Sequence, residues 1–371
     1  MALGLGIGFG FGRSPRHTVG PPTANNWQIG DSITLNPYLF PSSTSGYAAL
    51  FDAAKGITSH NLAFASQGIY AGFDGYSQAI ASGVDPYSLT LMMGLNDARL
   101  TALQATSTNI IIGGAADIFS RHYASLLRPF SGGTQVGTWI DYNGPAPKLN
   151  PTIQASQTPG DTITMAFNGD AVSIGTLLQL IPSGDSFGNR GFTIHIDGVL
   201  KYTFDPSVLN CNGSTSVALR GAAPNQYGWT PYAIILSELG SGAHTCLVTV
   251  TAGNGTYFAW LDGIVELYPH TSVALTKPCV WMDVPTLNAT GSSGSFTDAA
   301  KIAQTNIDVW ESSQFTWFRG YSNFGRVKTN NYYDPNDAAQ VYSDNVHPSG
   351  FGTSASGSYK ISQPLIALMT I

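Results

Sequence analysis

A chain of 371 residues with 43% hydrophobic content buries a large core, and its length leaves room for two or three domains. Charged residues make up only 10%, where roughly 25% is usual for soluble proteins, and this low-charge composition suits β-rich modules in extracellular or virion settings. The net charge of −6 comes with no basic stripe, which argues against a nucleic-acid partner, and no run reaches the roughly 18 apolar residues of a membrane-spanning helix.

Residues 1–24 form a Gly-rich N-terminal arm. Its start, Met1-Ala-Leu-Gly-Leu-Gly-Ile-Gly-Phe-Gly-Phe-Gly-Arg13, lacks the charged n-region of a signal peptide, and alternate glycines make poor helix. From Asn25 to Met93 short apolar runs alternate with helical stretches. Trp27-Gln-Ile29 is a strand leading into Gly30-Asp-Ser-Ile-Thr34. Ser45 to Ala54 reads as an amphipathic helix stopped by Gly56, Asn61 to Ala65 as a second strand, and Asp74 to Ser82 as a second helix. Ser88 to Met93 is a third strand, apolar on both faces, as strands of a covered parallel sheet are. Asp117 to Leu127 reads as the next helix.

The texture then changes. From about Ser131 to Ser272 short alternating runs, such as Thr162–Phe167, Gly191–Ile196, Cys246–Thr251 and Gly263–Tyr268, are separated by turn clusters such as Asp197-Gly198, Asn212-Gly213 and Gly253-Asn-Gly255. That is the pattern of an antiparallel sandwich. At Lys277 the α/β texture returns: Cys279–Val284 and Phe315–Phe318 read as strands, Thr297–Trp310 and Gly357–Met369 as helices. The expected organisation is therefore one α/β domain in two halves, 25–130 and 276–371, interrupted by an inserted β-sandwich at 131–275.

Cys211, Cys246 and Cys279 are too few for a disulfide scaffold and lack metal-ligand spacing. Two readings stay open: Cys211 pairs with Cys246, or all three are free buried thiols. No phosphate-binding loop, dinucleotide fingerprint or zinc motif appears, so no cofactor and no metal are expected.

Four short segments carry the chemistry. Gly30-Asp-Ser32 follows the first strand, Gln67-Gly68 the second, Gly94-Leu-Asn96-Asp97 the third, and Asp344-Asn-Val-His347-Pro348 precedes the last helix. All fall where the C-terminal ends of parallel strands should lie, the edge at which open α/β sheets bind ligands. Singly, Ser32 could be a helix N-cap, Asn96 and Asp97 a turn, and His347 a loop histidine. A general α/β-hydrolase is a poor fit, because Ser32 has Gly30 before it but Thr34 after it.

Together, in this order, the segments resemble the sequence blocks of the SGNH (GDSL-type) hydrolases, over about 25–130 and 276–371. The glycine block departs from the commoner pattern by one extra residue between Gly68 and Gly72. The resemblance implies a flavodoxin-like three-layer parallel sheet and a serine esterase. Ser32 would be the nucleophile, His347 its base and Asp344 the group that orients the imidazole. The backbone N–H groups of Ser32 and Gly68 and the side-chain amide of Asn96 would form the oxyanion hole. The remaining histidines read as surface or sandwich residues, and Asp31 as a support of the turn.

Relatives that act on acetylated polysaccharides often carry a β-sandwich or jelly-roll companion, which implies an O-acetylated polysaccharide or a small ester as substrate. Trp139, Trp229, Tyr232, Tyr257 and Trp260 are then candidates for stacking on sugar rings. The arm is similar to glycine-alternating starts of phage virion proteins, which implies virion or oligomeric association through it. Two other readings use the same residues: a glycan-binding or structural virion module with a vestigial esterase fold, and an O-acyltransferase.

Overall fold

In the computed structural model the described residues are 26–35, 46–63, 68–69, 76, 87–95, 97, 104–143, 152–179, 189–206, 229–253, 256–272, 277–286, 299–341, 347–350 and 354–369. The expected arm (1–24), Cys211 and most of the helix expected over Asp74–Ser82 lie outside them.

The first part runs β1 (Asn26–Gly30), α1 (Ser32–Leu35), α2 (Tyr47–Lys55), β2 (His60–Asn61), β3 (Ser88–Met92) and α3 (Gln104–His122). Helix α2 ends where Gly56 turns left-handed at φ 65°, a conformation glycine adopts without a Cβ penalty. The last part runs β15 (Cys279–Met282), α4 (Ala299–Glu311), α5 (Ser313–Arg319), β16 (Phe324–Val327) and α6 (Gly357–Leu368). Five strands from these two parts form one parallel sheet in the order β2-β1-β3-β15-β16.

Alternation along the strands sorts the two faces of this sheet. Leu89, Leu91, Cys279 and Trp281 join a core with Phe119 of α3 and Phe315 of α5. Met92, Val280 and Met282 join a separate core with Phe51 of α2 and Ile361 of α6. Both faces are covered, which is why these strands read as continuous apolar runs.

Between the two parts lie β4 (Ala124–Pro129), β5 (Thr134–Val136), β6 (Ile140–Tyr142), β7 (Ile153–Ser156), β8 (Thr162–Asn168), β9 (Val172–Gln179), β10 (Phe192–Ile196), β11 (Val199–Phe204), β12 (Trp229–Leu236), β13 (Ala243–Val250) and β14 (Ala259–Leu267). They form two antiparallel sheets, β11-β10-β13-β8-β5 and β12-β9-β14-β7-β6, with β4 also paired to β14. Asp197 and Gly198, at φ 51° and 79°, make the two-residue turn of the β10–β11 hairpin.

Several elements differ from the sequence reading. The helix expected over Asp117–Leu127 begins earlier and stops at His122, and Ala124–Pro129 becomes strand β4. The Phe315–Phe318 run is helical, not a strand: Ser312 caps α5 by accepting the Phe315 N–H at 3.3 Å, and a four-residue apolar run has too few positions to declare its period. Two of the proposed stacking aromatics, Tyr232 and Trp260, are 6% and 5% exposed and belong to the core. His122 is neither a surface nor a sandwich residue but is buried at the end of α3, where burial and the nearby Lys277 charge hold its pKa well below the usual value. Cys246 and Cys279 are free and buried.

Helix α3 joins the two units. It packs on β12 of the sandwich and on α4 and α5 of the other unit, and from Ile110 to His122 every residue is buried. Arg121 stays charged there because Asp117 grips it at 2.8 Å and Asp262 of β14 at 2.8 Å. Removing Asp262 leaves Arg121 paired with Asp117 and takes one charge-assisted hydrogen bond from a buried guanidinium. We therefore expect Asp262→Ala to lower stability by about 2 kcal/mol, read as a shift of the urea midpoint at neutral pH.

Candidate active site

The site is built on the corner where β1 turns into α1. Gly30 ends β1 with no room for a side chain: a Cβ would run into the Thr34 side chain and stand 2.9 Å from the Met92 carbonyl. The Asp31 carboxylate accepts the Ile33 N–H at 3.0 Å, and the Asp31 carbonyl accepts the Thr34 N–H at 3.1 Å. Asp31 therefore does the capping that a serine after a strand commonly does. The corner is anchored from behind, since the Thr34 hydroxyl meets the Tyr47 hydroxyl at 2.8 Å and Asn61 Nδ2 donates to the Thr34 carbonyl at 3.0 Å.

The Ser32 hydroxyl is instead 2.8 Å from Nε2 of His347, a residue 315 positions away. With Nε2 accepting, the imidazole proton sits on Nδ1. The loop carrying His347 is pinned on its far side. Pro348 bridges to Val341, the Ser349 N–H donates to the Gln340 carbonyl at 2.8 Å, and the Ser358 N–H at the start of α6 donates to the Ser349 carbonyl at 3.0 Å. Both Ser32 and His347 are half-buried, so the pair remains open to a small substrate.

Gly68 stands beside the third segment. A Cβ on it would come within 2.5 Å of Oδ1 of Asp97. The Asp97 carboxylate accepts the Ile69 N–H with both oxygens, at 3.2 and 3.0 Å, and so ties the segment after β2 to the segment after β3. The sequence reading offered Asp97 only as part of a turn; a contact spanning 28 positions leaves no local signal. Gly94, at the end of β3, takes φ 122°, which glycine alone adopts freely. Asn96 and Asp344 lie outside the described residues.

Two carboxyls lie under this surface with little solvent. Asp31 is pushed up to about 7, first by burial and further by the Asp97 charge, against the Ile33 hydrogen bond that favours its ionised form. Burial likewise pushes Asp97 up to about 7, against the Ile69 hydrogen bond. The two titrate as neighbours. Among the described residues no group of three or more His, Cys, Asp and Glu side chains could hold a metal ion.

No family model matches the chain, and no curated protein matches it. Among solved structures, a two-domain esterase active on acetylated mannans, co-crystallised with mannopentaose, is similar over 65% of this chain and 90% of that one, at 9% identity and a TM-score of 0.34. A CBM36 domain of a multidomain xylanase from the hindgut metagenome of Trinervitermes trinervoides is similar over 38% of this chain and 93% of its own, at 19% identity and a TM-score of 0.25. A CBM35 from Paenibacillus barcinonensis is similar over 39% and 99%, at 16% identity and a TM-score of 0.26. At these TM-scores the likenesses assign no function to this chain.

The raised carboxyls make stability depend on pH. A folded-state pKa near 7, above the unfolded value of 3.8, means that the contribution of these groups is full below about pH 4 and is lost as pH rises through about 7. Asp31→Asn keeps an acceptor for the Ile33 N–H and removes one ionisation. Its melting temperature should gain on wild type by several degrees between pH 5 and pH 8, measured by thermal denaturation. An unchanged difference across that range would mean that Asp31 is not protonated in the fold.

Proposed function

We propose that the chain is a serine esterase, and that its substrate is an O-acetylated polysaccharide. The observation that carries the first part is the 2.8 Å contact between Ser32 Oγ and His347 Nε2. A serine hydroxyl becomes a useful nucleophile when a neutral imidazole can take its proton in the transition state. Here Asp31 has relieved Ser32 of its capping duty, so the hydroxyl is committed to the histidine.

The position in the sheet supports the same reading. Numbered within the parallel sheet alone, the strand order is 2-1-3-4-5, that of flavodoxin-like folds. The order reverses between β1 and β3, and the crevice outside their C-terminal ends is where such sheets bind ligands. Ser32 follows β1 and the Gly94–Asp97 segment follows β3.

In the proposed reaction Ser32 attacks the ester carbonyl while His347 takes its proton. The oxyanion that forms is held by the backbone N–H groups of Ser32 and Gly68 and the amide of Asn96. His347 then protonates the departing sugar oxygen, and water, giving its proton to the same imidazole, attacks the acyl-enzyme; acetate leaves as the proton returns to Ser32 Oγ. Asp344, three residues before His347, is assigned to hold the Nδ1 proton and stabilise the imidazolium. The sandwich, 131–275 in the proposed division of the chain, is assigned to supporting the polymer beyond the reacting ester. An acetylated glycan is the substrate that the resemblance associates with such a companion.

Ser32→Ala should fold as wild type does and lose at least ~10³-fold in kcat on 4-nitrophenyl acetate, with the double variant Ser32→Ala/His347→Ala hardly worse, because a triad acts as a unit. A serine-directed phosphonate should label Ser32 alone, located by mass spectrometry of the digested protein. Near-normal turnover of Ser32→Ala, or labelling at another serine, would remove the mechanism. Asn96→Ala should reduce kcat by roughly 10²–10³-fold and leave KM nearly unchanged. A rise in KM at constant kcat would make Asn96 a substrate contact instead. Acetate release from acetylated mannan, xylan and pectin, compared with butyryl and octanoyl aryl esters, tests the substrate class.

A further inference from the structure

Helix α3 has glycines side by side at 113 and 114, followed by Ala115 and Ala116, in the middle of 19 helical residues. Tandem glycine is unfavourable in a helix interior, so a close neighbour on each side is the expected reason. The neighbours are different. A Cβ on Gly113 would run into the ring of Tyr232 of the sandwich strand β12. A Cβ on Gly114 would come within 2.6 Å of Cγ1 and 2.8 Å of Cγ2 of Ile69. One residue is a step of about 100° around a helix, so the two contacts lie on different faces.

Ile69 directly follows Gly68, and its N–H is the one held by Asp97. One helical turn before Gly114, on the same face, Ile111 presses on the second loop: a Cβ on Gly94 would stand 2.9 Å from Ile111 Cδ1. One face of α3 thus touches both segments from which oxyanion donors are drawn, the Gly68 segment through Gly114 and the Asn96 segment through Ile111. Ile69, Ile111 and Ala115 are all fully buried, which leaves this face little slack.

We propose that α3 is the seat of the oxyanion hole, with Gly114 and Ile111 as positioning residues for its two loops. This rests on the esterase reading of Ser32, Gly68 and Asn96. Gly114 acts by what it lacks: without a Cβ the helix lets Ile69 sink against its backbone, and that depth sets where the Gly68 N–H points. An error of about 1 Å at a donor of this kind can reduce turnover by about 100-fold while ground-state binding changes little. The adjacent face, where Gly113 meets Tyr232, joins the helix to the sandwich and carries no oxyanion loop.

The test is a set of alanine variants assayed for kcat and KM on 4-nitrophenyl acetate, with melting temperature measured alongside. Gly114→Ala should lower kcat by about 10- to 100-fold and keep KM within about 2-fold. Gly113→Ala applies the same substitution to the neighbouring position. It should lower the melting temperature through Tyr232, with kcat per folded molecule within about 2-fold of wild type. Ile69→Ala should also lower kcat, and in the double variant Gly114→Ala/Ile69→Ala the new methyl enters the space vacated by Ile69. The double should therefore turn over faster than either single, a coupling that independent structural damage would not produce.

A Gly114→Ala kcat within 2-fold of wild type, a Gly113→Ala loss of kcat as large as that of Gly114→Ala, or additive losses in the double would each overturn the seat. If Gly114→Ala does not fold, Ile69→Ala decides, and an unchanged kcat there overturns the proposal. Ser32→Ala, run beside these, separates the two claims. If it is inactive while Gly114→Ala is unaffected, only the seat fails; if it retains wild-type turnover, the esterase reading fails and the seat with it.

Discussion

The burial of helix α3 on every side is the constraint on which the rest of the structure depends. A surface helix can place polar residues on its outer stripe, but α3 lies between the sandwich and the helices of the parallel-sheet unit and has no such stripe over Ile110–His122. Each position there must be apolar, small or internally paired. Ile110, Ile111, Ile118 and Phe119 fill the apolar places, and Gly113, Gly114, Ala115 and Ala116 allow close approach. Arg121 is tolerated because two carboxylates meet it, one from its own helix and one from β14. The sandwich is consequently more than an appendage, for a single core cluster contains residues of the parallel sheet, of α3 and of both sandwich sheets.

A second constraint acts at the β1–α1 corner, where the polypeptide turns tightly between the Thr34 side chain and the Met92 carbonyl. Glycine at 30 permits the turn, and aspartate at 31 satisfies the Ile33 N–H, one of the free donors of the short helix. Serine at 32 is then surplus to the local hydrogen bonding and available to a distant partner. The arrangement demands a buried carboxyl, however, and Asp97, which performs the equivalent task for the Ile69 N–H, demands another. Burial raises the proton affinity of both carboxyls, and the Asp97 charge raises that of Asp31 further.

Legibility in the sequence followed the range of the interaction. Strands β3 and β15 were visible because continuous apolar runs mark a covered parallel sheet, and the change to alternating runs near Ser131 marked the sandwich strands. Helix α2 was visible from its period and Gly56. By contrast, the Gly113-Gly114 stretch has poor helix propensity, and its neighbours Tyr232 and Ile69 show why glycine stands there. Phe315–Phe318 was misread as a strand because a four-residue run is too short to show the period that distinguishes helix from strand.

The sequence by itself determined the candidate chemistry: a serine after Gly-Asp at one strand end, and a histidine before proline near the other end of the chain. Such short motifs are legible because they depend on local turns and on side-chain type. Whether Ser32 caps a helix or meets a distant side chain was decided only by the tertiary structure, which brings His347 across 315 positions to 2.8 Å and gives the capping to Asp31. The same holds for Asp97 beside Gly68, and for Tyr232 and Trp260, which the sequence offered as sugar platforms and the packing placed in the core. The physical reason is common to all of them. Burial and long-range hydrogen bonding depend on which surfaces meet, and no stretch of sequence carries that information about its partner.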